Sequence, residues 1–170
     1  LDHTFGGKLT SCLVNPQACH ETELVIEKAA TPKTVAIVGA GPAGLSTALT
    51  AAQRGHKVTL FDKADEIGGQ LNMAKQVPGK EEFWGLVDWY RAMVADAGIS
   101  LELGREAQAE DLTGFDEVVI ATGVIPRDPG IPGQDRDNVL SYIDVLRGKA
   151  PVGEHVAVIG AGRIGFDVSE

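Results

Sequence analysis

The sequence has little cysteine, less positive than negative charge, and no long apolar run. Its two cysteines, Cys12 and Cys19, are too few for the disulfide framework of a small secreted protein. This low cysteine content is compatible with a reducing cytoplasm. The formal net charge of −9 argues against binding to nucleic-acid phosphates. Because no run of about 18 apolar residues occurs, we expect no membrane-spanning helix, and no leader resembling a signal peptide is visible.

Glycine, in contrast, is abundant, with 21 residues in a chain of 170. This composition is typical of a packed α/β domain with tight turns between strands and helices. The length suits one well-buried domain and part of a second. The chain starts at Leu1 rather than at a methionine, and it stops just after Gly165, where a new helix is expected to start. We therefore expect a segment of a longer protein.

Strand and helix patterns alternate from Lys33 onward. Short apolar runs predict strands at residues 35–38, 57–62, 99–103, 117–122 and 155–159. Apolar residues at helical spacing, bounded by Gly or Pro, predict helices at 42–54, 81–97 and 140–147. Because parallel strands need long crossovers, this order predicts an α/β fold with a doubly wound, mostly parallel sheet of the Rossmann type.

The same patterns divide the chain into four parts. Residues 1–32 have no sustained period and predict an arm or linker. Residues 33–125 form the predicted Rossmann-type domain, and residues 126–154 the connection that leaves it. Residues 155–170 are expected to begin a second nucleotide-binding domain.

A GxGxxG motif, residues 39–44, joins the first predicted strand to the first long helix. Gly39 permits the tight turn, Gly41 lets the backbone approach a pyrophosphate, and Gly44 lets helix and strand pack closely. Pro42 suits the first helical turn, whose free N–H groups attract phosphate. Asp62 ends the next strand, where a carboxylate can accept hydrogen bonds from ribose hydroxyls. The motif predicts a dinucleotide site.

Residues 160–165 repeat the motif after another apolar run, with Gly160, Gly162, Arg163 and Ile164 as candidate contacts. Two such motifs suggest two nucleotides, as in enzymes that pass a hydride from a nicotinamide to a flavin. The ribose-binding residue of this second site is not in the sequence, so NAD and NADP both stay open.

Further glycine-containing segments extend the first candidate site. Gly68-Gly69-Gln70 follows the second strand and Ala121-Thr122-Gly123 ends the fourth. In flavoproteins with two dinucleotide domains, glycines at these places keep side chains away from the cofactor. They favour FAD, or its ADP portion, over NAD at the first site. The added candidate contacts are Lys63, Gly69, Gln70, Thr122 and Gly123.

Read with their neighbours, these segments resemble the bacterial NADPH-dependent 2,4-dienoyl-CoA reductases over essentially the whole chain. The resemblance is carried by five segments: Ser11-Cys12-Leu13-Val14-Asn15-Pro16, His20-Glu21-Thr22, Gly68-Gly69-Gln70-Leu71-Asn72, Gln76-Val77-Pro78-Gly79-Lys80-Glu81-Glu82-Phe83 and Ala150-Pro151-Val152-Gly153. The chain is similar, less closely, to trimethylamine and histamine dehydrogenases, whose matching domain holds ADP.

The resemblance implies a cytoplasmic enzyme with an N-terminal FMN barrel, a four-iron cluster, and this FAD- and NADPH-binding region. Electrons would pass from NADPH through FAD and the cluster to FMN, for reduction of a 2,4-dienoyl-CoA in fatty acid β-oxidation. Cys12 matches the fourth cluster cysteine, whereas Cys19 has no ligand role. The acyl-CoA site would lie in the barrel, so no catalytic side chain is expected here.

The FAD contacts implied by the resemblance are Ala43 and Gly44 at the pyrophosphate, Asp62 at the ribose, and Gln70 and Lys80 beside the cofactor. The resemblance also implies a backbone contact from Ala107, after the third strand, to the adenine. Two alternatives stay open. One is an amine dehydrogenase in which ADP fills this site, and the other is a non-catalytic nucleotide-binding module.

Overall fold

The computed structural model describes residues 2–12 and 14–170. Leu1 and Leu13, the latter within the Ser11-to-Pro16 segment named above, lie outside the described residues. The elements are α1 (Asp2–Phe5), β1 (Thr34–Val38), α2 (Pro42–Gln53), β2 (Lys57–Phe61), α3 (Leu71–Ala74), α4 (Glu82–Asp96), β3 (Ser100–Glu102), a 3₁₀ helix (Ala109–Leu112), β4 (Glu117–Ile120), α5 (Tyr142–Leu146) and α6 (Arg163–Ser169). None of the helices in the described ranges has the length and apolarity needed to span a bilayer.

Four strands form a single parallel sheet in the order β3-β2-β1-β4. The helices α2 and α4 supply the crossovers from β1 to β2 and from β2 to β3, which parallel pairing requires. The predicted α/β class with a parallel, Rossmann-type sheet is confirmed.

The register of the sheet places the ends of three strands side by side. Val38 of β1 lies opposite Phe61 of β2 and Ile120 of β4. The residues that follow are Gly39, Asp62 and Ala121, which therefore meet at one edge of the sheet. The chain leaves β1 toward β2 but returns to the other side of β1 with β4. Such a reversal of strand order opens a crevice in which parallel α/β sheets bind ligands.

The core lies between the sheet and the helices α2 and α4. Ile37 and Leu60 from the strands are completely buried, as is Leu45 from α2. From α4, Val87 and Val94 pack into the same cluster. Each such side chain contributes roughly 1.5–3 kcal/mol by leaving water. The spacing of apolar residues in α2 and α4 therefore fixes both helices against the strands that carry the glycine turns.

At the amino-terminal ends of the strands, β4 is linked to β1 by hydrogen bonds that Thr34 and Asp116 exchange. The N–H and the hydroxyl of Thr34 donate to Oδ2 of Asp116 over 2.7 and 2.8 Å. The N–H of Asp116 donates in return to Oγ1 of Thr34 over 3.0 Å. These hydrogen bonds lower the pKa of Asp116, the backbone N–H of Thr34 being the largest cause.

The strand predicted at residues 155–159 is wrong, because these residues belong to no strand. A strand needs a neighbouring backbone to complete its hydrogen bonds, and none of the described segments pairs with this one. Val156 and Ile159 are accordingly exposed. The helix predicted at 140–147 is shorter, Tyr142–Leu146, and α1 and α3 were not predicted because single turns leave almost no periodic signal.

Candidate dinucleotide-binding site

Two glycines of the first motif are required by the protein itself. Gly39 has a φ of +112°, and a β-carbon there would overlap the carbonyl oxygen of Ala121 at the end of β4. A β-carbon at Gly44 would overlap the carbonyl oxygen of Gly39. Backbone cannot move aside cheaply, so both positions admit only glycine. They bring β1, α2 and the end of β4 into direct contact.

Gly41 is different, because nothing in the protein requires it. Its φ of −76° and ψ of 179° suit any residue. A β-carbon at Gly41 would meet no protein atom within 4 Å. No side chain caps the first turn of α2, which starts at Pro42, so that turn faces open space with its N–H groups available. The open turn of residues 39–44, together with the N-terminus of the 12-residue helix α2, forms a concave surface that we call the cradle. Such a surface fits a diphosphate.

Asp62 is held beside this cradle. Its Oδ2 accepts a 2.5 Å hydrogen bond from the N–H of Ala40, and its Oδ1 accepts a 2.8 Å hydrogen bond from the N–H of Ala64. A carboxylate has about four acceptor positions, so about two remain for other donors. This half-buried carboxylate is placed to receive ribose hydroxyls of a nucleotide whose phosphates lie at Gly41.

The segment from Gly68 to Gln70 closes over the turn. The N–H of Gly68 donates to the carbonyl of Ala40 over 2.8 Å, and a β-carbon at Gly69 would lie 2.9 Å from Cα of Gly41. Nε2 of Gln70 donates to the carbonyl of Val124 over 3.3 Å, which links the segment to the exit from β4. The structure thus brings three separate segments to one edge of the sheet.

The other candidate contacts of the first site lie around this edge. Ala43 and Lys63 are exposed beside the two strand ends, and Thr122 and Gly123 are exposed where β4 ends. Ala107 is half-buried in the loop after β3, whose residue Arg105 donates its N–H to the carbonyl of Asp62 over 3.2 Å. Their contacts with a cofactor stay predictions.

The second motif folds into the same local shape as the first. Gly160 has a φ of +118°, and a β-carbon at Gly165 would overlap the Gly160 carbonyl oxygen. Gly162 is the N-cap residue of α6, with a φ of −82° and a ψ of 178°, and a β-carbon there would meet nothing within 4 Å. Arg163 and Ile164 follow in the first turn, both exposed. The second turn reproduces the open cradle of the first.

Lys80 lies just before α4 and is directed at the second motif's helix. Its Nζ donates a 2.6 Å hydrogen bond to Oδ2 of Asp167 in α6. The contact of Lys80 with a cofactor stays a prediction, and its protein partner is Asp167.

Cys12 lies far along the chain from these turns and has an exposed sulfur. The N–H of Asn15 donates to Sγ over 3.4 Å, and hydrogen bonds from the backbone of Asn15 and Val14 lower the pKa of the Cys12 thiol. Backbone N–H donors to sulfur suit a thiolate ligand. Within residues 2–12 and 14–170, no three His, Cys, Asp or Glu side chains converge on a metal position.

Two residues of this site are not predicted by the sequence. Ala121 belongs to the predicted turn at the end of β4, but its contact with Gly39 through the carbonyl oxygen is visible only in the structure. Asp167 was not singled out, although an acidic residue two positions after Gly165 was visible in the sequence. Neither partner follows from spacing, since each contact joins segments about 80 residues apart in the chain.

A parallel sheet with two open glycine turns, one of them flanked by an anchored carboxylate, defines a dinucleotide-binding protein. The chain belongs to the pyridine nucleotide-disulphide oxidoreductase family, whose model matches residues 33–170. This family supports binding of FAD and NAD(P)H by the chain.

Three relatives make the assignment more specific. A metal reductase of Desulforamulus reducens is 37% identical over 99% of this chain and 26% of its own length. A cinnamate reductase of Clostridium sporogenes is 41% identical over 94% of this chain and 24% of its own length. The solved structure of a 2-naphthoyl-CoA reductase complex superposes with a TM-score of 0.91 at 36% identity, over 98% of this chain and 26% of that one.

The chain spans about a quarter of the length of these relatives. Membership of the matched family makes the chain a domain of a flavin-dependent oxidoreductase, and all three relatives are named as reductases. The predicted broader class is confirmed, and the particular substrate is a matter for proposal.

Proposed function

We propose that this chain is the FAD- and NADPH-binding part of a cytoplasmic reductase that acts on 2,4-dienoyl-CoA in fatty acid β-oxidation. One observation carries the nucleotide assignment. Gly41 and Gly162 are glycines that the protein's own packing does not require, and each faces open space at the start of a helix. Two cradles for diphosphates fit two dinucleotides.

The chain's own residues have binding and positioning tasks. The N–H groups at the start of α2, including that of Ala43, hold the diphosphate while Gly41 leaves room for it. Asp62 orients the adenosine ribose, and Gln70 stays with the exit from β4 next to the expected flavin. Bound FAD would supply acceptance of two electrons as a hydride and their release one at a time.

The order of the two motifs supports a nicotinamide as the donor. The first motif lies at the end of a strand of the four-stranded sheet, and the second is at the start of α6, joined to the first domain through Lys80 and Asp167. The acyl-CoA substrate class is supported by the 2-naphthoyl-CoA reductase, whose solved structure is a complex with 2-naphthoyl-CoA. The cinnamate reductase supports reduction of a conjugated alkene.

We further propose that Cys12 is one ligand of a four-iron cluster in the natural protein, with the other three cysteines and an FMN barrel supplied by preceding residues, and that residues after 170 complete the NADPH domain. The exposed sulfur with backbone N–H donors supports the ligand role. Electrons would then leave the first site singly toward FMN.

The experiment is done on the protein at its natural length. Extracted nucleotides are identified chromatographically, and the visible spectrum is followed during anaerobic titration with NADPH and with NADH. Equal amounts of FMN and FAD, bleached by NADPH and reoxidised by a 2,4-dienoyl-CoA, are expected. FMN with ADP instead of FAD, or no bleaching by either nicotinamide, contradicts the reductase proposal and fits an amine dehydrogenase or a non-catalytic module.

The cluster is tested separately by iron and sulfide analysis of Cys12→Ser and Cys19→Ser. Both cysteines are exposed and lie in the same segment, so Cys19→Ser is a matched control. We expect loss of iron only in Cys12→Ser. Full iron in Cys12→Ser contradicts the ligand role.

A further inference from the structure

Across the part of the chain that the structure describes, one ion pair, Lys80 with Asp167, joins α6, the helix after the second glycine turn, to the first domain. Within the described residues, 2–12 and 14–170, no other ion pair or side-chain hydrogen bond joins residues 33–125 to residues 126–170. The two side chains are 35% and 33% exposed, so water screens the pair only in part. This contact is therefore the main polar link between the two motifs.

Lys80 projects from a fixed backbone. Its N–H donates to the carbonyl of Val77, and its own carbonyl accepts from the N–H of Phe83, each over 3.1 Å. The side chain of Glu81 accepts a 3.0 Å hydrogen bond from the N–H of Gly79. The backbone of Lys80 is thus fixed at the start of α4, whose apolar side is buried in the core.

Among the described residues, the helix α6 packs mainly on α5. Its apolar residues Ile164 and Phe166 are 52% and 69% exposed, and Val168 is half-buried. Asp167 lies five residues after Gly162, about 7.5 Å along the helix axis. The N–H of Phe166 donates to the carbonyl of Gly162 over 3.0 Å, so that Asp167 and Gly162 belong to one hydrogen-bonded segment. A displacement of Asp167 is therefore expected to displace the turn at Gly162 as well.

We propose that Asp167 is a positioning residue. Its ion pair with Lys80 fixes the position of the second glycine turn relative to the first, so that a nicotinamide bound at the second turn meets the flavin bound at the first. The inference rests on the proposed function for the reaction, but the contact itself can be tested without it. Hydride transfer requires this relative position, because small displacements of the reacting groups slow the transfer strongly.

The test compares Asp167→Asn, Asp167→Glu, Lys80→Met and the double variant Lys80→Met with Asp167→Asn in the natural-length protein. The matched control is Glu117→Gln, which removes a similarly exposed ion pair, with Lys33, that lies inside the first domain. One readout is hydrogen exchange of peptides covering α6 and α4. The other is the rate of flavin reduction after rapid mixing with a range of NADPH concentrations.

We expect Asp167→Asn and Lys80→Met to speed exchange in α6 while the buried part of α4 stays protected. The limiting rate of flavin reduction should fall by up to about fivefold with little change in the NADPH concentration at half-maximal rate. Hydrogen exchange in α6 of the double variant should be no faster than in either single variant. Asp167→Glu should keep most of the wild-type protection of α6 and of the wild-type rate of flavin reduction. Glu117→Gln should leave both readouts unchanged.

Unchanged exchange in α6 of Asp167→Asn overturns the proposal, as does a double variant whose exchange equals the sum of the two single effects. If NADPH fails to reduce the flavin of the wild-type protein, the proposed function fails, and the exchange measurements still decide whether the ion pair holds α6. The two failures are therefore distinguishable.

Discussion

The N–H of Ala40 donates a 2.5 Å hydrogen bond to Oδ2 of Asp62, which ties the turn after β1 to the end of β2. The same carboxylate accepts from the N–H of Ala64 through its other oxygen. Asp62 therefore has a structural task before any nucleotide is bound, since it satisfies two backbone donors at the edge of the sheet. A ribose would use its remaining acceptor positions.

Asp62→Asn tests both tasks together. An amide has one acceptor oxygen, so one of the two backbone N–H groups would face an NH₂ group. We expect a loss of about 1–3 kcal/mol in the free energy of unfolding and about tenfold weaker binding of ADP. Thermal unfolding and calorimetric titration measure the two effects. Asp65→Asn, an exposed carboxylate in the same loop, is the control and should change neither.

Gly44→Ala should destabilise the fold irrespective of ligand. The added β-carbon would overlap the carbonyl oxygen of Gly39, and both are backbone positions locked between β1 and α2. We expect a cost of about 1–3 kcal/mol or more, measured by chemical denaturation. The control is Gly85→Ala in α4, where a β-carbon would meet nothing within 4 Å, and which should be neutral or stabilising by up to about 1 kcal/mol. Equal stability of Gly44→Ala and wild type would contradict the packing argument.

Gly41→Ala should have the opposite profile. The protein accommodates a β-carbon at Gly41, so the free energy of unfolding should change by no more than about 0.5 kcal/mol. The methyl group would occupy the space assigned to the diphosphate, and we expect at least about tenfold weaker binding of FAD and ADP. Unaltered nucleotide affinity, measured by titration, would contradict the assignment of the cradle. Gly162→Ala should weaken nicotinamide binding in the same way.

The hydrogen-bonded carboxylate of Asp116 should make stability depend on pH. Because folding lowers its pKa, Asp116 stabilises the folded state above its unfolded pKa of about 4, and the contribution disappears as pH falls through the lower folded value. Asp116→Asn should therefore lower the melting temperature most at neutral pH, with a difference from wild type that shrinks below about pH 4. Asp137→Asn, in an exposed loop, is the control. A difference that does not vary with pH would contradict this origin.

Much of the first domain could be predicted from the sequence because its signals are local. The run from Val35 to Val38 has the apolar, β-branched character of a buried strand, and Pro42 and Gly55 bound the helix that follows. The expected ribose contact, Asp62, was placed at the end of a strand for the same reason. In the structure, Asp62 accepts a hydrogen bond from Ala40, a residue of the first glycine turn.

The segment from His155 to Ile159 shows where such reasoning fails. Its apolar run has the composition of a buried strand, but a strand exists only where another backbone accepts and donates its hydrogen bonds. The described chain provides no such neighbour, so the segment belongs to no strand and is exposed. Composition expresses a preference for a strand, whereas pairing decides whether one forms.

Local sequence thus determined most of the strands and helices of the first domain, and which turns could adopt the backbone angles that glycine tolerates best, as at Gly39 and Gly160. The tertiary structure alone decided the contacts between distant segments. The carbonyl of Ala121 lies against Gly39, Asp62 accepts a hydrogen bond from Ala40, and Asp167 pairs with Lys80. It also separated glycines needed for packing, such as Gly44, from glycines that leave room for a ligand, such as Gly41. Backbone preference acts within a few residues, while steric overlap and charge pairing depend on segments that only folding brings together.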